Sequence, residues 1–243
     1  ALKELKNLEA SLESYDIAYA LKPEYPYLLG TRLHLKMQMC NWQDFENSVS
    51  ELGQNAHGNS QTALSFQVVN LPISISEQRK IATTWCLDKH PFNPMLGEIV
   101  KQPRHSKIRL GYFSADFHNH ATAYLMAELF ERHDKSNFEL IAFSFGPETN
   151  DEMQIRVSKA FDHFVNVASL SDIEVALLSR ELGIDIAIDL KGVTQDSRLG
   201  IFSFKAAPIQ VSYLGYPGTL GADYIDYLIA DKTLIPTQSQ QHY

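Results

Sequence analysis

Cysteine is scarce in this 243-residue sequence, with only Cys40 and Cys86 present. Two are too few for a disulfide framework or a cysteine-built zinc site, and reduced thiols in apolar surroundings are expected. No apolar run approaches the ~18 residues of a membrane span, and the N-terminus lacks the charged-then-apolar pattern of a secretory signal. The cytoplasm is therefore the expected compartment, with no membrane partner. Positive charge is also in short supply: 21 Lys and Arg face 29 Asp and Glu, a formal net charge of -8. Phosphate backbones need a basic face, so nucleic acid is not an expected partner, although a local basic pocket for a nucleotide stays compatible. The first strand is not followed by G-x-G-x-x-G, which removes the main support for a dinucleotide-binding reading.

What is present is ordinary globular composition, 44% hydrophobic and 21% charged, in a chain long enough for one large domain or one domain with an appendage. Residues 1–53 read as helices only. Leu2, Leu5, Leu8, Leu12, Tyr15 and Tyr19 recur at helical spacing and Pro23 closes the run. Further helices are expected over 27–39 and 42–52. Ser11, Tyr15 and Ala18 pair with Phe45, Val49 and Leu52 at the offset of a tetratricopeptide repeat, less than two of which are present. A plain helical hairpin is the alternative. Residues 54–106 read as a connecting segment, with an apolar stretch at 63–71, a helix at 77–89 and punctuation by Pro91, Pro94 and Pro103.

From Lys107 the pattern alternates between strand and helix to the end of the sequence. Strands are expected over 108–113, 138–145, 163–167, 184–190, 209–214 and 227–230, with helices over 121–132, 151–161, 171–182 and 196–204. Repeated strand–helix–strand units imply an α/β fold, a parallel sheet with helices on both faces and the size of one Rossmann-like lobe.

In such a sheet, ligands bind beyond the carboxyl ends of the strands. Three loops expected there stand out: 114–120, 191–194 and 214–219. The first places Asp116, His118 and His120 within five positions, just before a helix. Asp116 could take a proton from a hydroxyl nucleophile and His120 could donate to a phosphate or sugar oxygen. Gly215 and Gly218 would let backbone approach a ligand ring. A structural reading competes: Asn119 as the helix cap, and Asp116 bonded to nearby backbone amides. His118 and His120 have no evident third ligand, so no metal is expected. Leu125, Met126 and Leu129 read as core.

The strings GYFSADFHNHATAYLM, DLKGVTQDSRLGIF and APIQVSYLGYPGTLGADYIDYLIAD resemble the amino-terminal catalytic lobe of the O-linked N-acetylglucosamine transferase family. The resemblance covers 107–243, and the preceding helices fit that family's tetratricopeptide array. It implies the first lobe of a two-lobed GT-B fold, with most of the uridine diphosphate held by a second lobe outside this sequence. It also implies inverting transfer of N-acetylglucosamine from UDP-GlcNAc to Ser or Thr of acceptor proteins, without a metal or other cofactor. The fragment by itself is then expected to lack turnover.

By position, Asp116 matches an aspartate proposed as base or proton-path member. Asn119 and His120 match the family's Asn-His pair, the histidine lying against the donor's sugar-phosphate. Thr122 matches a threonine lining the donor site, and Leu214, Gly215 and Pro217 fall where the sugar ring packs. Ala121 departs from the proline of animal members, and Val193 and Lys205 from the expected His or Tyr and Arg. Another histidine of the family lies in the connecting segment; Leu64 and Ser65 fall near its place and His57 is the nearest substitute, so the identity of the base stays open. Two alternatives stand beside this reading: a helical-repeat scaffold with a non-catalytic lobe, and a transferase using another nucleotide sugar such as GDP-fucose.

Overall fold

The computed structural model describes residues 5, 7–58, 60–100 and 105–243. Leu2 and Pro103, used above, lie outside them. The chain forms two compact units, one of 1–89 with 218–222 and 237–243, the other of 90–217 with 223–236. The stretch expected as a connecting segment is thus divided between the units at Lys89 and His90.

The first unit is helical: α1 Leu8–Leu21, α2 Leu28–Gln38, α3 Phe45–Ala56, α4 Ser65–Val68 and α5 Ile75–Lys89, with a 3-10 turn at Thr237–His242. Asn7 opens α1 by accepting the Ala10 amide on its side chain. The buried faces of α2, α3 and α5 meet around Leu29, Leu33, Val49, Leu52 and Ile81, with Ala63 and Val68 filling between them. Ala63 and Val68 belong to the stretch read as a connecting segment, and both are part of this core.

The second unit holds six parallel strands, β1 Ile108–Ser114, β2 Phe138–Ser144, β3 His163–Asn166, β4 Ile186–Asp189, β5 Ile209–Tyr213 and β6 Tyr227–Ile229. Between them run α6 Ala121–Arg132, α7 Glu152–Ala160, α8 Asp172–Glu181 and the short α9 Gly200–Ser203. The strand order is β3-β2-β1-β4-β5-β6, the doubly wound Rossmann order. Two expected elements are shorter, by three residues or more, than the pattern suggested. The fourth strand starts at Ile186, because the turn closing α8 runs through Gly183 with φ 63°. The helix over 196–204 is reduced to α9, since Asp196 takes a left-handed φ of 59°.

Successive residues of β1 serve opposite faces. Tyr112 meets Phe130 and Phe161 edge-on on one side, while Phe113 stacks on Phe143 and abuts Phe202 on the other. On α6, Met126 and Phe130 are buried and Leu129 packs beside them, but Leu125 is 69% exposed. One residue's turn of about 100° carries Leu125 off the apolar stripe, which corrects its reading as core.

Arg180, in the last turn of α8, ties this unit together without any carboxylate. Its guanidinium donates to the carbonyls of Leu96, Gly97, Phe204 and Lys205 at 2.7–3.0 Å. Burial among neutral acceptors holds its pKa below the usual arginine value. A lysine is a point donor and cannot span four carbonyls. Arg180→Lys is expected to destabilise the protein by about 2 kcal/mol in denaturant titration; a change within about 0.5 kcal/mol, usual for an inert surface position, would refute that role.

Candidate active site

The sheet register fixes the site. Phe113 lies level with Phe143 on β2 and with Asp189 on β4, so the chains leaving β1 and β4 emerge side by side. Asp116 sits three residues beyond Phe113 and Lys191 two beyond Asp189. Their side chains meet head-on, with Lys191 Nζ 2.9 Å from Asp116 Oδ1 and 2.8 Å from Oδ2. Both residues are almost out of water, at 6% and 4% exposure. Such a pair tolerates burial only with close geometry and further hydrogen bonds.

One such bond comes from the Thr122 hydroxyl, which approaches Asp116 Oδ2 at 3.4 Å; His120 Nδ1 lies 3.5 Å from the same oxygen. The lysine is aimed from behind by Asp189, whose two carboxylate oxygens accept the backbone amides of Lys191 and Gly192, each at 2.9 Å. Complete burial pushes the Asp189 carboxyl up to about 7, against the pull of those two amides and of the Lys191 ammonium.

His120 is the N-cap of α6: its Nδ1 accepts the Thr122 amide at 3.2 Å. This corrects the reading of Asn119 as cap. Asn119 instead donates its own amide to Asp151 and receives the Tyr124 hydroxyl. The Asp116 carboxylate, likewise, is bound by side chains rather than by nearby backbone amides. With Nδ1 accepting, a neutral His120 ring carries its proton on Nε2, and its side chain is 43% exposed. His118 stacks against it with ring centroids 5.8 Å apart, and the buried His118 Nδ1 has no hydrogen-bond partner among the described residues.

Asp116, His118, His120 and Lys191 line a cleft of about 680 Å³ together with Phe145 and Gly146. Asn119, Thr122, Leu214, Gly215 and Pro217 are not among its lining residues. Gly215 nonetheless belongs to the same edge. A Cβ there would fall 1.9 Å from the Leu190 carbonyl oxygen, so only glycine lets the loop after β5 press on the one after β4. Leu214 before it takes a left-handed φ of 64°, an uncommon and strained state for leucine. Pro217 is exposed, and Gly218 and Thr219 belong to the helical unit. The histidine substitute His57 lies in the helical unit too, beside Lys80 and Glu77. Lys205 is engaged by both oxygens of Asp226.

The sequence reading singled out the loop that begins at Lys191 but gave no role to Lys191 or Asp189. The signal was there: DLK closes the apolar run of a strand that in this fold adjoins the one leading to Asp116. Among the described residues, no three or more His, Cys, Asp or Glu are grouped so as to hold a metal ion, and no helix is long and apolar enough to cross a membrane.

A Rossmann-type parallel sheet with a polar cleft at its carboxyl edge defines an α/β lobe whose cleft lies where sheets of this class bind ligands. The Glycosyl transferase family 41 profile matches residues 39–243, and the chain belongs to that family. An Arabidopsis thaliana protein named "Probable UDP-N-acetylglucosamine--peptide N-acetylglucosaminyltransferase SEC" is 38% identical over 154 residues, 63% of this chain and 16% of its own. The Caenorhabditis elegans UDP-N-acetylglucosamine--peptide N-acetylglucosaminyltransferase is 29% identical over 214 residues, 82% of this chain and 18% of its own. In three dimensions, 99% of the chain superposes on 47% of a Thermobaculum terrenum O-GlcNAc transferase mutant, with TM-score 0.72 and 24% identity, which bears on the fold. The chain thus spans less than a fifth of those two curated relatives.

Asp189 yields a pH-dependent prediction. The folded state holds its proton more tightly than an unfolded chain, where the value is near 3.8. Its contribution to stability is therefore fullest below about pH 4 and is lost as the pH rises to about 7. Asp189→Asn removes that titration. Denaturant melts from pH 4 to 8 should show the wild type losing stability relative to Asp189→Asn across that window; parallel curves would contradict the assignment.

Proposed function

We propose that this chain is the amino-terminal catalytic lobe of an inverting protein glycosyltransferase that transfers N-acetylglucosamine from UDP-GlcNAc to serine or threonine hydroxyls. The observation that carries the reading is the convergence of Asp116, His120 and Lys191 in one cleft at the carboxyl edge of a family 41 lobe. The activities for which the plant and nematode relatives are named support the donor and the peptide acceptor.

The acceptor oxygen attacks the anomeric carbon, the bond from that carbon to the diphosphate oxygen breaks, and its electron pair leaves with UDP. The hydroxyl proton must go elsewhere, and Asp116 is assigned as its acceptor or as a member of its path. A carboxylate offers about four lone-pair sites. Lys191 takes one on each oxygen and Thr122 approaches a second on Oδ2, which leaves one on Oδ1. His120, through Nε2–H, is assigned to the departing diphosphate, where charge develops most in the transition state. No metal or cofactor enters the proposal. Asn119, Thr122, Leu214, Gly215 and Pro217 are assigned to shaping the donor site. The helical unit, of tetratricopeptide type, is assigned to acceptor-protein binding, and the cytoplasm is the proposed compartment.

The test is transfer of labelled N-acetylglucosamine to an acceptor protein by the full-length enzyme. His120→Ala should lower kcat on the order of 10²-fold or more while donor KM moves far less. Asp116→Asn should lose on the order of 10²- to 10⁴-fold. Near wild-type turnover in Asp116→Asn would remove Asp116 from the proton path, and transfer from GDP-fucose alone would replace the donor.

A further inference from the structure

We infer that Lys191 is a positioning residue for this reaction, holding the Asp116 carboxylate in its working orientation rather than meeting the substrate itself. The inference rests on the assignment of Asp116 above. Three features of the geometry point the same way. First, Lys191 contacts both oxygens of Asp116 from within a nearly dry setting, which fixes the plane of the carboxylate. A single-point contact would leave it free to turn. Second, Lys191 is itself built into place. Asp189, entirely buried, spends both of its oxygens on the amides of Lys191 and Gly192, so the loop after β4 cannot shift without stranding that carboxylate. Third, one of the two oxygens that Lys191 steadies, Oδ2, is also the one beside the Thr122 hydroxyl and His120, so turning Asp116 would disturb the first turn of α6 as well.

A surface lysine forming an incidental ion pair would show none of this, because exposed pairs contribute little and move freely. Lys191 is 4% exposed and has spent two of its three N–H donors on one carboxylate. The remaining donor is its sole means of touching a ligand. Direct substrate contact is thus the competing outcome, and a double-mutant cycle separates the two, since residues acting through one another are non-additive.

The experiment measures kcat and donor KM for the full-length enzyme as wild type, Asp116→Asn, Lys191→Met and the double variant, across pH. If Lys191 works through Asp116, Lys191→Met lowers kcat at least tenfold with donor KM little changed, and the double variant is no slower than Asp116→Asn alone. The titratable groups that line the cleft with Asp116 are His118, His120, Lys191 and Asp196, and Asp189 holds the Lys191 and Gly192 amides. With the ammonium gone, a buried carboxylate favours its protonated form, so the kcat deficit of Lys191→Met should narrow as the pH rises. A merely structural lysine would lower thermal stability without that pH trend.

Unchanged kcat in Lys191→Met overturns the inference, and so does a double variant slower than Asp116→Asn by the full Lys191→Met factor. If Lys191→Met fails to fold, the double variant, which leaves neither charge of the pair buried, still decides: turnover equal to Asp116→Asn supports positioning, and a further tenfold loss refutes it. Wild-type turnover in Asp116→Asn defeats the proton-path reading and this inference together, whereas a slow Asp116→Asn beside an unimpaired Lys191→Met defeats this inference alone.

Discussion

A lysine and an aspartate facing each other out of water, at the point where two neighbouring parallel strands end, is the constraint around which the catalytic edge is organised. Burying two charges is costly, and their attraction repays it only when geometry is close and the remaining hydrogen-bonding capacity is used. In this chain the close geometry comes from elements the fold supplies anyway, and Thr122 adds a further bond to the carboxylate. The Rossmann order sets β1 beside β4, and the register places Phe113 level with Asp189. Any slip in that register would separate the Asp116 and Lys191 side chains and leave two uncompensated charges in the interior. The pair therefore acts as a check on the sheet as much as a part of the site.

The surrounding loops are fastened by backbone contact more than by side chains. Gly146 after β2 presses on the Ala115 carbonyl oxygen, where a Cβ would fall at 1.8 Å, and Gly215 after β5 presses on Leu190 in the same manner. Those contacts clamp the loops carrying Asp116 and Lys191 from either side. Beneath them, Arg198 donates to Asp172 and to the carbonyls of Val167 and Leu170 while lying over the Phe145 ring that walls the cleft. A rim fastened in this way suits the proposed role of holding a hydroxyl, a sugar and a diphosphate in line, since preorganised groups need little rearrangement as charge develops.

Much of the fold was legible in the sequence because the strands are short apolar runs separated by amphipathic helices, a pattern with few alternative foldings. Helix α6 could be bounded at both ends, since the polar loop ending at His120 and the charged close at Arg132 bracket one apolar stripe. The division of the chain was less legible. Ala63, Val68 and Leu71 look like a linker's apolar patch until α2, α3 and α5 are seen to close over them. At the site, Asp116 and His120 were conspicuous because titratable groups cluster there. Lys191 was not, since its meaning depends on a partner 75 residues away brought close only by strand order. The capping role of His120 was equally hidden: Asn is the commoner cap, and only the extended backbone at His120 shows which residue turns its side chain onto the Thr122 amide.

The central claim is that this edge of the sheet receives the sugar diphosphate and the acceptor hydroxyl together. It is tested most directly by a crystal structure of the full-length protein with UDP-GlcNAc and an acceptor peptide in which the reactive hydroxyl is removed. The account predicts the diphosphate within hydrogen-bond distance of His120 Nε2 and the peptide backbone entering the cleft beside Asp116, with the Asp116–Lys191 pair intact. Donor density away from His120, or a Lys191 ammonium that has left Asp116 for the phosphate, would contradict it.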